Sequence, residues 1–205
     1  MDTSISTLAI AAALAWASGL RLYIVLVIIG LAGHYSWLGW QMPASLTLLA
    51  HPMVIGASGL LVLVEFFADK IPGIDTLWDI VHTFIRIPAG ALLAAGVISN
   101  GDNAAWALAA ALLGGSITAG THFLKAGGRA AINTSPEPVS NWTASFSEDA
   151  LAVSGIWLAF QHPMLFLVLL LIFIALAAWM LPKLLRFTVG MLKRAINMAS
   201  PVRRT

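Results

Sequence analysis

Long apolar runs separated by short polar connections dominate the chain, at residues 8–33, 51–69, 77–99, 103–127, 146–160 and 163–181. A hydrocarbon core about 30 Å thick is crossed by about 20 residues of helix. The runs therefore predict an all-α integral membrane protein of about six transmembrane helices, the fifth so short that it must borrow polar residues upstream. No Lys or Arg precedes the first run, so it reads as a span and not as a secretory leader. After Pro182 the pattern changes. Leu185, Val189, Leu192 and Ile196 fall along one side of a helix, with Arg186, Lys193 and Arg194 elsewhere. That spacing predicts a C-terminal amphipathic helix lying at the membrane interface. The expected organisation is one transmembrane domain, 1–182, followed by a basic amphipathic tail, 183–205.

Composition agrees with the pattern. The residues are 60% hydrophobic and 10% charged, with a mean hydropathy of +0.90, whereas soluble domains carry roughly a quarter of their residues as charges. Cysteine is absent, which excludes disulfides, thiolate metal sites and cysteine catalysis. Six of the eleven Lys and Arg lie after Pro182, so anionic lipid, not nucleic acid, is the partner expected of the basic residues. The other cations alternate. Connections near 34–50, 102 and 161–163 have none, while Lys70 with Arg86, Lys125 with Arg129, and the tail occupy the intervening connections. The positive-inside rule then places both termini and the two charged connections in the cytoplasm.

The scarce charges are concentrated. The stretch "EFFADKIPGIDTLWDIVHTFIRIPAG", residues 65–90, holds three aspartates, a glutamate, a lysine, a histidine and an arginine. Asp79, His82 and Arg86 fall at i, i+3 and i+7 on one helical stripe, and His122, Lys125 and Arg129 repeat that spacing; Glu65 and Asp69 form a third stripe at i and i+4. A charge at mid-bilayer costs about 2.5–3.5 kcal/mol on insertion scales. The stripes should therefore face one another, which implies a polar cleft. A weak internal repeat is also visible, because Pro72 precedes Trp78 as Pro136 precedes Trp142, with charge order reversed around them: Glu65 and Arg86 in one copy, Arg129 with Glu148 and Asp149 in the other. Pairing across the copies would set Glu65 and Asp79 against Arg129, and Arg86 against Glu148 or Asp149. The competing reading is plain: cations snorkel and carboxylates are solvated at helix ends, or the charges form a buried network that serves only helix association.

Arg21 is the most isolated charge. No charged residue lies between Leu8 and Leu20, and twelve residues separate Arg21 from His34. A continuous helix would put its guanidinium near the membrane centre, where it requires a carboxylate, an anion, backbone carbonyls or water. Ser18 and Gly19 permit a local break exposing such carbonyls. Alternatively, the span begins near Gly19 and residues 5–17 form a separate tilted segment. Gly90 with Ala94, and Gly115 with Ala119 and Gly120, allow close helix packing. No metal-ligand spacing, catalytic nucleophile motif or nucleotide-binding loop is present, so no enzyme activity, metal or cofactor is expected.

The run "GLRLYIVLVIIGLAG" and the blocks "VEFFADKIPGIDTLWDIVHTFIRIPAGALLAA" and "HFLKAGGRAAINTSPEPVSNWTASFSEDALAV" resemble a bacterial family of small multi-spanning membrane proteins catalogued as a domain of unknown function, the DUF4126 type. The resemblance spans about 19–160. It implies a bacterial inner-membrane location and no particular activity. The residues themselves suggest a small transporter-like protein with a cytoplasm-facing charged cavity for a polar, zwitterionic or anionic solute or a lipid headgroup. Its candidate binding residues are Arg21, Glu65, Asp69, Asp79, His82, Arg86, His122, Lys125, Arg129, Glu148 and Asp149. The alternative is a structural or interaction protein whose intramembrane charges stabilise packing and whose loops dock a partner. Either is compatible with a homo-oligomer.

Overall fold

A computed structural model describes residues 3–71, 73–99, 103–134 and 138–199, with side chains at 3, 38, 138, 188 and 191–199 left aside. It is all-α. Helices α1 (Thr3–His34), α2 (Pro52–Ala68), α3 (Ile74–Ile98), α4 (Ala104–Ile132), α5 (Pro138–Gln161) and α6 (Pro163–Ala199) follow in order, with short 3₁₀ segments at Trp37–Gly39 and Ala44–Ala50 between α1 and α2. Four helices are long and apolar enough to cross a membrane, and the bent pair Ala44–Ala50 with Pro52–Ala68 makes a fifth candidate. The six expected runs all become helices, but α5 extends back to Pro138 through a polar first half and is not among these candidates.

α3 and α4 form an antiparallel pair. Gly90 lies against Thr118, and Ala94 against Gly114, so small residues bring the two backbones together. Their connections to neighbouring helices define two ends of the bundle. The near end carries the α2–α3 and α4–α5 connections; the far end carries residues 35–51, the α3–α4 connection and His162.

α1 is not one straight span. Arg21 has φ −146° and ψ 79°, which interrupts the helix. Before the break the chain follows α4 toward its C-terminal end: the Thr118 hydroxyl donates to the Ala15 carbonyl at 2.7 Å, Gly19 abuts Thr118 and Thr121, and Lys125 Nζ donates to the Leu20 carbonyl at 3.2 Å. After it the chain returns. Tyr23 meets His82 on α3, Gly30 meets Leu49 and Ile55, and Gly33 meets Met42 and Ala50, while Leu46 and Ser45 of the same segment contact Gly96 at the far end of α3. Both arms of α1 therefore point to the far end, with Arg21 at the vertex. Within the described residues α1 begins at the far end, whereas α6 leaves the far end at Pro163 and passes Gly127 at Leu184 on its way to the near end.

The apolar core surrounds the first arm. Ala9, Ala13, Leu14 and Ala17 are buried against the other helices, and Trp16 packs edge-on to Phe166 and Phe173. Many leucines, isoleucines and phenylalanines on α2, α3, α4 and α6 stay exposed, as expected of a surface solvated by lipid. α6 runs on through Pro182 without a break. The amphipathic tail expected beyond it falls largely on side chains outside the description, as do Pro72 and Pro136 of the proposed repeat.

Candidate functional site

The charged stripes converge on the vertex of α1. Arg21, 1% exposed, pairs with Asp69, with Asp149 at 2.7 Å from Nε and with Glu148 at 3.1 Å, and Glu65 lies 3.8 Å away. Its Nη2 also donates to the Ser145 carbonyl and hydroxyl at 3.0 and 2.9 Å. The break falls at Arg21 itself and not at Ser18 and Gly19, and the Leu20 carbonyl beside it accepts from Lys125, while the carbonyl that accepts from Arg21 is that of Ser145 on α5.

Each hairpin forms ion pairs of its own. In the α2–α3 hairpin, Arg86 pairs with Glu65 and, at 3.1 Å, with Asp79. In the α4–α5 hairpin, Arg129 grips both oxygens of Glu148, at 3.0 and 2.9 Å. The expected pairing across hairpins is thereby corrected: Glu65 and Asp79 face Arg86, and Arg129 faces Glu148. The reason is geometric. α2 and α3 share a short connection at one end, so Glu65, late in α2, comes within reach of Arg86, one turn beyond His82 and two beyond Asp79 in α3.

Lys125 joins the halves. Its ammonium lies 3.4 Å from Asp69 and from Asp79, 3.5 Å from Glu148 and 3.9 Å from Glu65. Arg129 adds a further cross-link to Asp69, through the side chain at 3.4 Å and the carbonyl at 3.0 Å. Four cations thus meet five carboxylates. All the cations are buried, as are Glu65, Asp69 and Asp79, while the Glu148 and Asp149 side chains are 13% and 24% exposed. Three carboxylate oxygens, Glu65 Oε2, Asp69 Oδ1 and Asp79 Oδ2, have no hydrogen-bond donor among the described residues.

The histidines divide. His122 belongs to the cluster: Arg86 donates to its Nδ1 at 3.3 Å, so Nε2 carries the proton and donates to Thr83 Oγ1 at 2.7 Å, whose hydroxyl in turn donates to the Asp79 carbonyl at 2.9 Å. His82 stands beside it. Its Nδ1 bonds the Trp78 carbonyl at 2.8 Å, its Nε2 accepts from the Tyr23 hydroxyl at 3.0 Å, and its ring stacks on Trp78. Of the eleven candidate residues, ten form the ionic cluster and its immediate hydrogen bonds, and His82 is the one held apart.

Polar residues that the sequence reading passed over extend the cluster to the near end. Asn141 accepts from Arg129 at 3.3 Å and donates to Asn133 at 2.8 Å; Asn133 donates to both oxygens of Asp75, at 3.0 and 2.9 Å. Asp75 accepts from the backbone of Gly73 and Thr76 at 2.8 and 2.6 Å. A continuous chain of hydrogen bonds therefore ties the α2–α3 connection to the start of α5. Asn141, Ser145 and Glu148, at i, i+4 and i+7 of α5, share a face, and that periodicity was the available signal.

Beside the cluster, Lys70 lies over the Phe66 ring, 2.9 Å from its centroid, with Phe146 at 4.8 Å. Burial pushes its ammonium below the usual lysine range, and Asp149 opposes that shift. The expected polar cleft is filled by the charges themselves. Two hollows on the bundle are apolar: one of about 280 Å³ lies between Trp16, Leu151, Gly155, Phe166 and Phe173, and one of about 220 Å³ between Ile117, Gly120, Phe173 and Leu181. Among the described residues no group of three metal-ligating side chains is assembled.

Together these features define a multi-span helical membrane protein with a buried salt-bridge network. The chain belongs to the family described as Domain of unknown function (DUF4126), whose model matches residues 8–183. No curated protein and no solved structure matches it.

Proposed function

We propose that this is a small transporter-like protein whose charged cluster binds a polar, zwitterionic or anionic solute or a lipid headgroup. One observation carries the reading: four buried cations and five carboxylates converge at the vertex of an interrupted, doubled-back helix. Broken helices within a membrane are tolerated where they surround a site, and in many transporters they form one. Network charges of this kind are a costly way to hold helices together, since well-packed apolar groups of similar volume do as well or better. In this reading the charges pair with each other in a closed state. Arg21, Lys125, Arg129 and Arg86 hold the anionic groups of the solute in the loaded state, while Glu65, Asp79 and Asp149 hold its cationic groups.

The charge bias of the connections supports a cytoplasmic near end, in the inner membrane of a bacterium. α1 then enters and leaves from the opposite face, with α2 to α6 making five crossings. The basic residues after Pro182 would lie on anionic lipid.

A second reading has its own support, because every cation of the cluster is already paired: the network is architectural and the connections dock a partner. A thermal-unfolding screen of the purified protein separates the two. Amino acids, organic anions and lipid headgroups are tested against wild type and Arg129→Ala. A ligand at a hundred times its Kd should add about 2.7 kcal/mol. A stabilising ligand whose effect vanishes in the variant supports transport; a wild type that no ligand shifts, beside a variant that misassembles, supports the architectural role.

A further inference from the structure

Beside the charged cluster the chain builds an aromatic cage and fills it with a cation of its own. Lys70, just beyond the end of α2, sets its ammonium 2.9 Å from the centroid of the Phe66 ring, 4.8 Å from that of Phe146 and 5.6 Å from that of Trp142. The same ammonium donates to the Phe66 carbonyl at 3.2 Å. The Phe66 and Phe146 rings stand 5.8 Å apart at 72°, forming two walls of a corner. Asp149 of α5 favours positive charge at this point. Ring faces, a carbonyl and a carboxylate all present negative potential, so the place is complementary to a cation.

A lysine that bonds a carbonyl in the last turn of its helix is an ordinary C-terminal contact. The cage is more than that, because two of its three rings come from another helix, α5. On one side it backs onto the cluster: Phe66 follows Glu65, Trp142 follows Asn141 and Phe146 follows Ser145. On the other it is open. Trp142 is 49% exposed and Phe146 51%, at the near end of the bundle, and amphipathic rings at the end of a span sit at headgroup level. Phe67, edge-on to Phe66, and Leu63 one turn before it are both exposed and continue an apolar surface from the cage toward the middle of α2.

We propose that this cage is the headgroup site of an aminophospholipid, with Lys70 the resident occupant that the lipid's primary ammonium replaces. The ligand class follows from what Lys70 uses. Its ammonium takes the ring faces and a hydrogen bond to a carbonyl, and a quaternary ammonium has no N–H to give. The exchange keeps one cation between the rings throughout. The displaced Lys70, a point charge on a flexible stem, then meets the phosphate carried by the same headgroup. A phosphate headgroup without an amine gains only that second contact, and a free amine only the first. The acyl chains lie on Phe67 and Leu63, which commits the site to a lipid.

The test is native mass spectrometry of the detergent-purified protein titrated with lipids of identical chains and different headgroups. Phosphatidylethanolamine should bind about tenfold more tightly than phosphatidylglycerol, the combined worth of ring and carbonyl contacts to the ammonium, and more tightly than phosphatidylcholine. Trp142→Leu and Phe146→Leu, at half-exposed positions, should each reduce that preference about threefold or more. Trp157→Leu, as exposed and on the same helix but toward the far end, should leave it intact. Lys70→Met should weaken both phospholipids through the lost phosphate contact and keep the preference for the amine, because the cage reads the ammonium. Equal binding of ethanolamine and glycerol headgroups overturns the proposal, as does a preference unchanged in both wall variants or lost in Lys70→Met. Competition by phosphoethanolamine without chains, at the concentration the lipid requires, overturns the lipid and assigns the cage to a soluble amine. The cage lies outside the charged cluster, so this site and solute binding fail separately: the solute screen responds to Arg129→Ala, the lipid preference to Trp142→Leu.

Discussion

Arg86→Met isolates the energetics of the cluster. Arg86 is fully buried, pairs with Glu65 and Asp79, and donates to His122. The methionine fills much of the space but leaves Asp79 with only the shared ammonium of Lys125, at 3.4 Å, and Glu65 with the more distant Arg21 and Lys125, at 3.8 and 3.9 Å. Removing one partner of a buried ion pair costs about 3–5 kcal/mol, because the other charge is stranded. Exposed pairs lose only about 0.2–1 kcal/mol, and interhelical hydrogen bonds in membranes average about 0.6 kcal/mol, so the magnitudes separate the cases. Glu65→Gln in the Arg86→Met background removes the stranded charge and should return at least about 2 kcal/mol, a coupling of the size expected for directly interacting buried groups. Unfolding in mixed micelles titrated with dodecyl sulfate, followed by fluorescence of the eight tryptophans, measures both. A loss under about 1 kcal/mol for the single variant, or strictly additive effects in the double, would refute the claim that these charges are buried and mutually dependent.

Other outcomes follow from single contacts. A Cβ on Gly19 would stand 2.6 Å from the Thr118 carbonyl and 2.7 Å from Thr121 Cβ, so Gly19→Ala should destabilise by about 1–3 kcal/mol in the same titration, while Gly120→Ala, which meets nothing within 4 Å, should not. Gly73 has φ +90°; Gly73→Ala should cost about 1 kcal/mol or more from backbone strain alone. Asn133→Ala strips two donors from Asp75 and one acceptor from Asn141 and should cost about 1–3 kcal/mol. The chain has no cysteine, so Ser4→Cys, Ser36→Cys and Thr134→Cys can be labelled singly without background. Impermeant maleimide should reach the first two from one face of the membrane and the third from the other. Labelling of Ser4→Cys and Thr134→Cys from the same face would show that α1 does not double back.

What the sequence made legible, and what it hid, follows from how each is encoded. Charge stripes on α3 and α4 predicted their own convergence, because i, i+3, i+7 spacing fixes the face and the cost of a lipid-exposed charge fixes its direction. Seven of the eight residues on the three stripes, all but His82, met on that ground. Their pairing was not legible. It depends on the rotation of α2 against α3 and of α4 against α5, which no local pattern records, and so Glu65 found Arg86 within its own hairpin. Asn133, Asn141 and Ser145 looked like ordinary connection residues until α5 proved to begin at Pro138, which turned 141, 145 and 148 into one helical face. The reversal of α1 was hidden most deeply. Hydropathy averages over a window, and one residue with non-helical angles inside a 32-residue helix leaves the average untouched. Yet residues 22–34 make only about 20 Å of helix at 1.5 Å per residue, too little to cross about 30 Å of hydrocarbon. Once Arg21 is recognised as a break, neither arm needs to cross, and the guanidinium that had no partner in its own run becomes the point on which the carboxylates of α2, α5 and the α2–α3 connection close.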